Sequence, residues 1–131
     1  MLVLDASAAV ELLLRTNRGD RVATHLADES VQLHSPDLLW LEVASALRRA
    51  IRGGLCTSPR AELALSHLGQ LAIRAHRDID FAGRAFALRN RVTVYDGVYI
   101  ALAENIGASL LTCDGGMAAA ADRTCDVLLV D

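Results

Sequence analysis

Thr93-Val94-Tyr95-Asp96-Gly97-Val98-Tyr99-Ile100-Ala101-Leu102-Ala103, continuing through Glu104-Asn105-Ile106 to Ser109-Leu110-Leu111-Thr112-Cys113-Asp114, is the stretch whose reading decides the fold. Thr93 is a capping residue for a helix over Val94 to Ile106, whose opening turn carries Asp96. Ser109 to Cys113 is an apolar run of strand length, and Asp114-Gly115-Gly116 breaks it. Helix followed at once by buried strand repeats along the chain. Met1 to Leu4 is a short aliphatic run, followed by helical stretches over Ala6 to Leu14 and around Asp20 to Glu29, with Val31 to His34 as a second strand. Ser35-Pro36-Asp37 reads as a helix start: Ser35 as N-cap, Pro36 at the first helical position and Asp37 favourable to the dipole. That helix runs to Gly53-Gly54 and buries Leu39, Trp40, Val43, Ala44, Leu47 and Ile51, which leaves Glu42, Ser45, Arg49 and Arg52 on a polar face. Ser58-Pro59 opens a helix to about Gly69, Leu71 to Ala75 is a short strand, Asp80 to Arg89 is helical, and Val127 to Val130 closes the sheet. The pattern predicts an α/β sandwich with a mostly parallel central sheet of about five strands. No linker or repeat divides residues 1–131, so one domain is expected.

Composition removes several function classes. No apolar run nears the roughly 18 residues that span a bilayer, and Met1-Leu2-Val3-Leu4-Asp5 lacks the basic and long apolar parts of a signal peptide, so a cytoplasmic protein without a membrane role is expected. Cys56, Cys113 and Cys125 have neither CxxC nor zinc-finger spacing and read as reduced core thiols. His25, His34, His67 and His76 share no ligand spacing. All 13 basic residues are arginine, which excludes every mechanism that needs a lysine. The net charge of −3 is mild, and with four acidic residues set aside for a site the remainder is slightly basic, compatible with an RNA substrate.

Those four are Asp5, Glu42, Asp96 and Asp114. Each falls where a strand ends or near a helix start, positions that converge at one edge of an open parallel sheet. A carboxylate cluster of this kind holds hard cations, which prefer oxygen ligands and retain water. Mg²⁺ and Mn²⁺ are ions of that kind, and a water bound to one of them is lowered in pKa. Each residue also has an ordinary explanation: Asp5 as a helix cap, Glu42 as an exposed helix former, Asp96 as the third residue of a capping arrangement with Thr93, Asp114-Gly115 as a turn. Arg49 shares the face of Glu42 about 10 Å along the helix, suited to a phosphate or simply to the helix dipole.

The blocks Leu2-Val3-Leu4-Asp5-Ala6-Ser7, Leu41-Glu42-Val43-Ala44-Ser45-Ala46-Leu47-Arg48-Arg49, Tyr95-Asp96-Gly97-Val98-Tyr99-Ile100-Ala101-Leu102-Ala103 and Leu111-Thr112-Cys113-Asp114 together resemble the PIN-domain ribonucleases, and among them the VapC toxins of toxin–antitoxin pairs. The resemblance spans nearly the whole chain. It implies a PIN-like three-layer sandwich, and an endoribonuclease dependent on Mg²⁺, with Mn²⁺ able to substitute. It further implies a homodimer, neutralised by a cognate VapB-type antitoxin. On the motifs, Asp5, Glu42, Asp96 and Asp114 are the catalytic, metal-binding carboxylates, while Ser7 and Thr112 line the same pocket. Two positions depart from the family pattern. Gly97 replaces an alanine or serine without expected consequence, and Gly115-Gly116 replaces bulkier residues and is expected to loosen the loop after Asp114.

Other parallel-sheet functions fail on particular residues. Phosphoacceptor signalling domains and haloacid-dehalogenase-like phosphatases both rely on lysine, and the latter on an Asp-x-Asp start where this chain has Asp5-x-Ser7. There is no glycine-rich nucleotide loop. The alternative that remains is a non-catalytic RNA- or antitoxin-binding module of the same fold.

Overall fold

The computed structural model describes all 131 residues. Five strands, β1 (Leu2–Leu4), β2 (Leu33–Pro36), β3 (Ile73–His76), β4 (Ser109–Thr112) and β5 (Val127–Leu129), form one sheet in the order β3-β2-β1-β4-β5, every neighbouring pair parallel. Seven helices connect them: α1 (Ala6–Leu13), α2 (Asn17–Leu26), α3 (Leu39–Arg52), α4 (Ser58–Gln70), α5 (Ala82–Ala87), α6 (Val94–Ile106) and α7 (Gly115–Ala121). The chain winds from β1 outward to β3, then returns to the other side of β1 with β4. Right-handed crossovers therefore put α1 to α4 on one face and α5 and α6 on the other. α1 packs on α2, α3 and α4, while α6 packs on α5, β1, β2 and β4. No helix is long and apolar enough to cross a membrane.

The central strands are buried on both faces, which is why Val3, Leu4, Leu110 and Leu111 form continuous rather than alternating apolar runs. α6 is the most enclosed helix, with every residue from Gly97 to Ala103 buried. Its close approach to α5 depends on Gly97: a Cβ there would lie 3.1 Å from the Cα and Cβ of Ala85 and 3.2 Å from its carbonyl oxygen. Alanine or serine would need Ala85 to give by a few tenths of an ångström, so the close packing of the two helices is matched to the glycine that stands here. Gly107, with φ of 65°, ends α6 in the left-handed conformation that suits glycine.

Three local expectations are overturned. Ser35-Pro36-Asp37 does not start a helix: Ser35 and Pro36 complete β2, with Pro36 in register with His76, and the Ser35 hydroxyl donates to the Pro36 carbonyl. α3 begins later, with Leu38 in the cap position and no side chain of its own to accept from the first turn. The acceptor comes from far along the chain, because the Leu38 amide donates to Asp78 Oδ1 at 3.1 Å. Gly115-Gly116 is not a loose loop either. Both residues lie in the first turn of α7, which Asp114 caps through a 3.1 Å bond from the Met117 amide. The region read as one helix from Asp80 to Arg89 divides into a 3₁₀ turn over Asp78–Asp80 and the short α5.

Candidate active site

Reversal of the winding direction at β1 and β4 opens a crevice beyond the carboxyl ends of these two strands. Asp5 follows β1 directly and Asp114 follows β4 one residue after its end. Asp5 is 3% exposed and its carboxylate is saturated with donors: the Ala8 amide at 2.9 Å, the Ser7 hydroxyl at 2.8 Å and the Thr112 hydroxyl at 2.6 Å. The Ala8 bond makes Asp5 the N-cap of α1. Ser7 and Thr112 also tie the strand ends together, since the Cys113 amide donates to Ser7 Oγ and the Asp114 amide to Thr112 Oγ1. Burial raises the pKa of Asp5 above the ordinary carboxyl value, helped by the charge of Asp114, against the lowering effect of these hydrogen bonds.

The other two carboxyls arrive from the flanking layers. Asp96 sits in the first turn of α6, whose cap is Thr93: the Thr93 hydroxyl accepts from the Asp96 amide at 3.2 Å. Glu42 projects from the first turn of α3 and is half-buried, so the exposed helix-former reading does not hold. Desolvation raises the pKa of both, with the charge of Asp114 adding to it at Asp96 and those of Asp96 and Asp5 at Glu42. The Tyr99 hydroxyl is near enough to Glu42 to favour its ionised form, yet neither that hydroxyl nor Glu42 Oε1 completes a hydrogen bond. The ordinary explanations of Asp5 and Asp96 hold too, because each takes part in a helix cap while facing the crevice. Asp114 is an exposed cap rather than a turn residue.

All four acids line one cleft of about 460 Å³, together with Ser7 and Arg49. Thr112 is fully buried behind it as the partner of Asp5. Arg49 donates to Ser45 Oγ at 3.1 Å from an exposed position on the wall. Sequence reasoning missed Glu11, Arg18, Tyr99 and Cys113, which also line the cleft. For Glu11 a signal existed: it lies one turn beyond Ser7 on α1, on the same face. It pairs with Arg18 at 3.6 Å and accepts a bond from Thr16. Burial lifts the Cys113 thiol to about 11, so without a metal it stays protonated at neutral pH. The histidines stand apart; His34 and His76 pair across β2 and β3 at 2.9 Å.

No three of these groups stand close enough together to form a ready ligand cage. The donor set nevertheless fits a hard divalent cation. Its free oxygens are carboxylate oxygens, one of them the buried, unpartnered Glu42 Oε1, and crowding penalises every further negative charge. Mg²⁺ binds through one or two carboxylates and keeps several waters, so a complete protein cage is not needed.

The PIN domain profile matches residues 2–123. The chain belongs to the PIN domain family. This PIN domain is 40% identical over 130 residues to ribonuclease VapC12 of Mycobacterium tuberculosis, covering 99% of each chain. It is 38% identical over 121 residues to ribonuclease VapC3 of Pyrobaculum aerophilum, covering 89% of this chain and 92% of the relative. These relatives group it with the VapC-type ribonucleases, hydrolases of RNA. Among solved structures, Mycobacterium tuberculosis VapC20, described as a sarcin-ricin loop cleaving toxin, superposes with a TM-score of 0.71 at 17% identity, covering 92% of this chain and 95% of the other. FitAcB of Neisseria gonorrhoeae gives 0.64 at 18% identity, covering 98% and 96%. Both likenesses describe the fold, an all-parallel α/β sheet within helical layers.

Proposed function

We propose that this PIN domain is a metal-dependent endoribonuclease toxin of the cytoplasm that hydrolyses phosphodiester bonds in cellular RNA and is held silent by a VapB-type antitoxin. The observation that carries the site assignment is the crowding of Asp5, Glu42, Asp96 and Asp114 around one cleft, with three of the four pKa values raised. Carboxyls perturbed by burial and by one another in a cleft mark a candidate functional site, here one suited to a counter-charge. Glu42, Asp96 and Asp114 would face Mg²⁺ or Mn²⁺ directly. Asp5, fixed by Ser7 and Thr112, would anchor the set from below. When bound, such an ion supplies activation of water and neutralisation of charge on the phosphorane-like transition state. Around it, Arg49 binds a neighbouring RNA phosphate, and the donors on Asp5 keep that carboxylate from rotating. RNA as substrate class is supported by the ribonuclease relatives.

Leu41 and Tyr95, 77% and 68% exposed, are large apolar surfaces next to Glu42 and Asp96 in the sequence, and they support a homodimer and an antitoxin helix as partners. An antitoxin arginine reaching the carboxylates would act as a bidentate counter-cation in place of the metal. The test is cleavage of total RNA by purified protein with Mg²⁺ or Mn²⁺, with EDTA, and by Asp96→Asn. Activity confined to the metal-loaded wild type is the expected outcome. Undiminished cleavage in EDTA, free of contaminating nuclease, refutes the metal site; no cleavage under any condition favours the non-catalytic module.

A further inference from the structure

Only three buried side-chain polar atoms in the protein have no hydrogen-bond partner, and two of them, the Tyr99 hydroxyl and Glu42 Oε1, belong to residues lining the same cleft. Tyr99 lies on α6 three residues after Asp96, on the face that Asp96 presents to the cleft. It is 1% exposed, in a wholly buried stretch of α6, between Gly97-Val98 and Ile100-Ala101-Leu102. Packing alone asks for phenylalanine there, because a hydroxyl buried without a partner is unfavourable. A phenol hydroxyl is an O–H donor at neutral pH, and this one shares its cleft with a carboxyl whose Oε1 is unpaired.

We infer that Tyr99 is a positioning residue, whose hydroxyl holds one oxygen of Glu42 so that the other faces a divalent cation in the cleft. The geometry supports this in two ways. Glu42 is one of two carboxyls in the cleft whose oxygens accept no hydrogen bond, and it has the longer side chain of the two: Asp5 is held by Ser7, Thr112 and the Ala8 amide, Asp114 accepts from Met117, and Asp96 meets Thr93 through its amide rather than its carboxylate. A bond between the two unpaired groups, made as Glu42 turns to the cation, would be a contact that the metal-free protein lacks, and a donor fixed on α6 would orient the ligand at that step. Tyr99 is also the sole neutral hydrogen-bond donor that acts on Glu42.

The inference rests on the cation reading above and has its own test. Mn²⁺ alone, without RNA, is titrated calorimetrically into the wild type, Tyr99→Phe, Glu42→Gln and the double variant, with melting curves of the metal-free proteins. Tyr99→Phe is expected to weaken Mn²⁺ binding roughly tenfold, the lower range for a residue that orients a ligand. Its metal-free melting temperature should not fall, since the hydroxyl has no bond to lose. Whatever Mn²⁺ binding remains in Glu42→Gln should be indifferent to the second change. Equal Mn²⁺ affinity in the wild type and Tyr99→Phe overturns the inference while leaving the cation site standing. So does a tenfold loss that persists in the Glu42→Gln background, or one matched by a lowered metal-free melting temperature, which marks a packing role. Absence of Mn²⁺ binding by the wild type overturns the inference together with the reading it rests on.

Discussion

Replacing Asp5 by alanine and by asparagine separates the structural work of this side chain from its charge. Both substitutions remove the same buried negative charge, so the electrostatic relief is common to them and cancels in the difference. What remains is hydrogen bonding. Asparagine keeps an oxygen to cap α1 through the Ala8 amide and to accept from Ser7, and its amide nitrogen can donate to Thr112 Oγ1, a hydroxyl able to accept as well as donate. Alanine loses the cap, about 1 kcal/mol, and leaves the buried Thr112 and half-buried Ser7 hydroxyls short of one acceptor each, about 1 kcal/mol apiece after their remaining contacts with each other are allowed for. The expected gap is about 3 kcal/mol, which for a chain of this length is roughly 10 °C in melting temperature. Thermal unfolding by circular dichroism in EDTA at neutral pH measures it directly. If Asp5→Ala melts within about 2 °C of Asp5→Asn, these bonds do not hold the strand ends together and the account of Asp5 is wrong.

Further expectations concern charge and packing. Asp5, Glu42 and Asp96 all have folded pKa values above their unfolded ones, so the folded state holds protons that the unfolded state has released; metal-free stability is highest below the ordinary carboxyl range and declines as pH rises through the raised folded values. Melting curves in EDTA should therefore improve on acidification from pH 7 towards 5, and a flat or opposite trend contradicts the crowding. Asp96→Asn should raise the metal-free melting temperature at pH 7 and shrink the stabilisation given by Mg²⁺, whereas a mere capping role predicts no change in the Mg²⁺ response. Gly97→Val should cost about 2 kcal/mol or more by driving α5 from α6, read as a lower urea midpoint with unchanged slope. Arg49→Gln should weaken RNA binding and reduce the salt dependence of log affinity by about one unit if Arg49 meets a phosphate; an unchanged slope assigns it to the helix end.

The sheet and the four acids were legible in the sequence because both depend on local patterning. Apolar runs of strand length between helical stretches specify a parallel sheet, and Asp5, Asp96 and Asp114 stand beside capping positions that the sequence marks. What escaped depended on distant partners. Ser35-Pro36-Asp37 has every local feature of a helix start, but pairing of Pro36 with His76 carries the strand onward, and the donor at the true start of α3 is served by Asp78, 40 residues away. Gly115-Gly116 suggested a loose loop because glycine propensity outweighed the cap that Asp114 provides. Tyr99 lay in a quoted block, yet its spacing fits an apolar core position equally well, and only the unpaired hydroxyl in the cleft distinguishes it. Glu42 was placed on a polar face as if solvated, whereas the cleft half-buries it beside Tyr99 of α6.

Asp5 and Asp114 each spend an oxygen on starting a helix, while Glu42 has no such duty. For a lineage under pressure to silence a harmful ribonuclease, the routes to inactivity are thus unequal. Loss of Asp5 to alanine yields a less stable protein that is more often unfolded and so more exposed to proteolysis, which releases whatever would have bound it. Loss of Glu42 yields an inert protein that persists and goes on occupying its partners. Inherited copies that are dead but still made and still folded should carry their lesion at Glu42 or Asp96, whose carboxylates cap no helix, and a decoy that titrates a shared inhibitor would arise from that class.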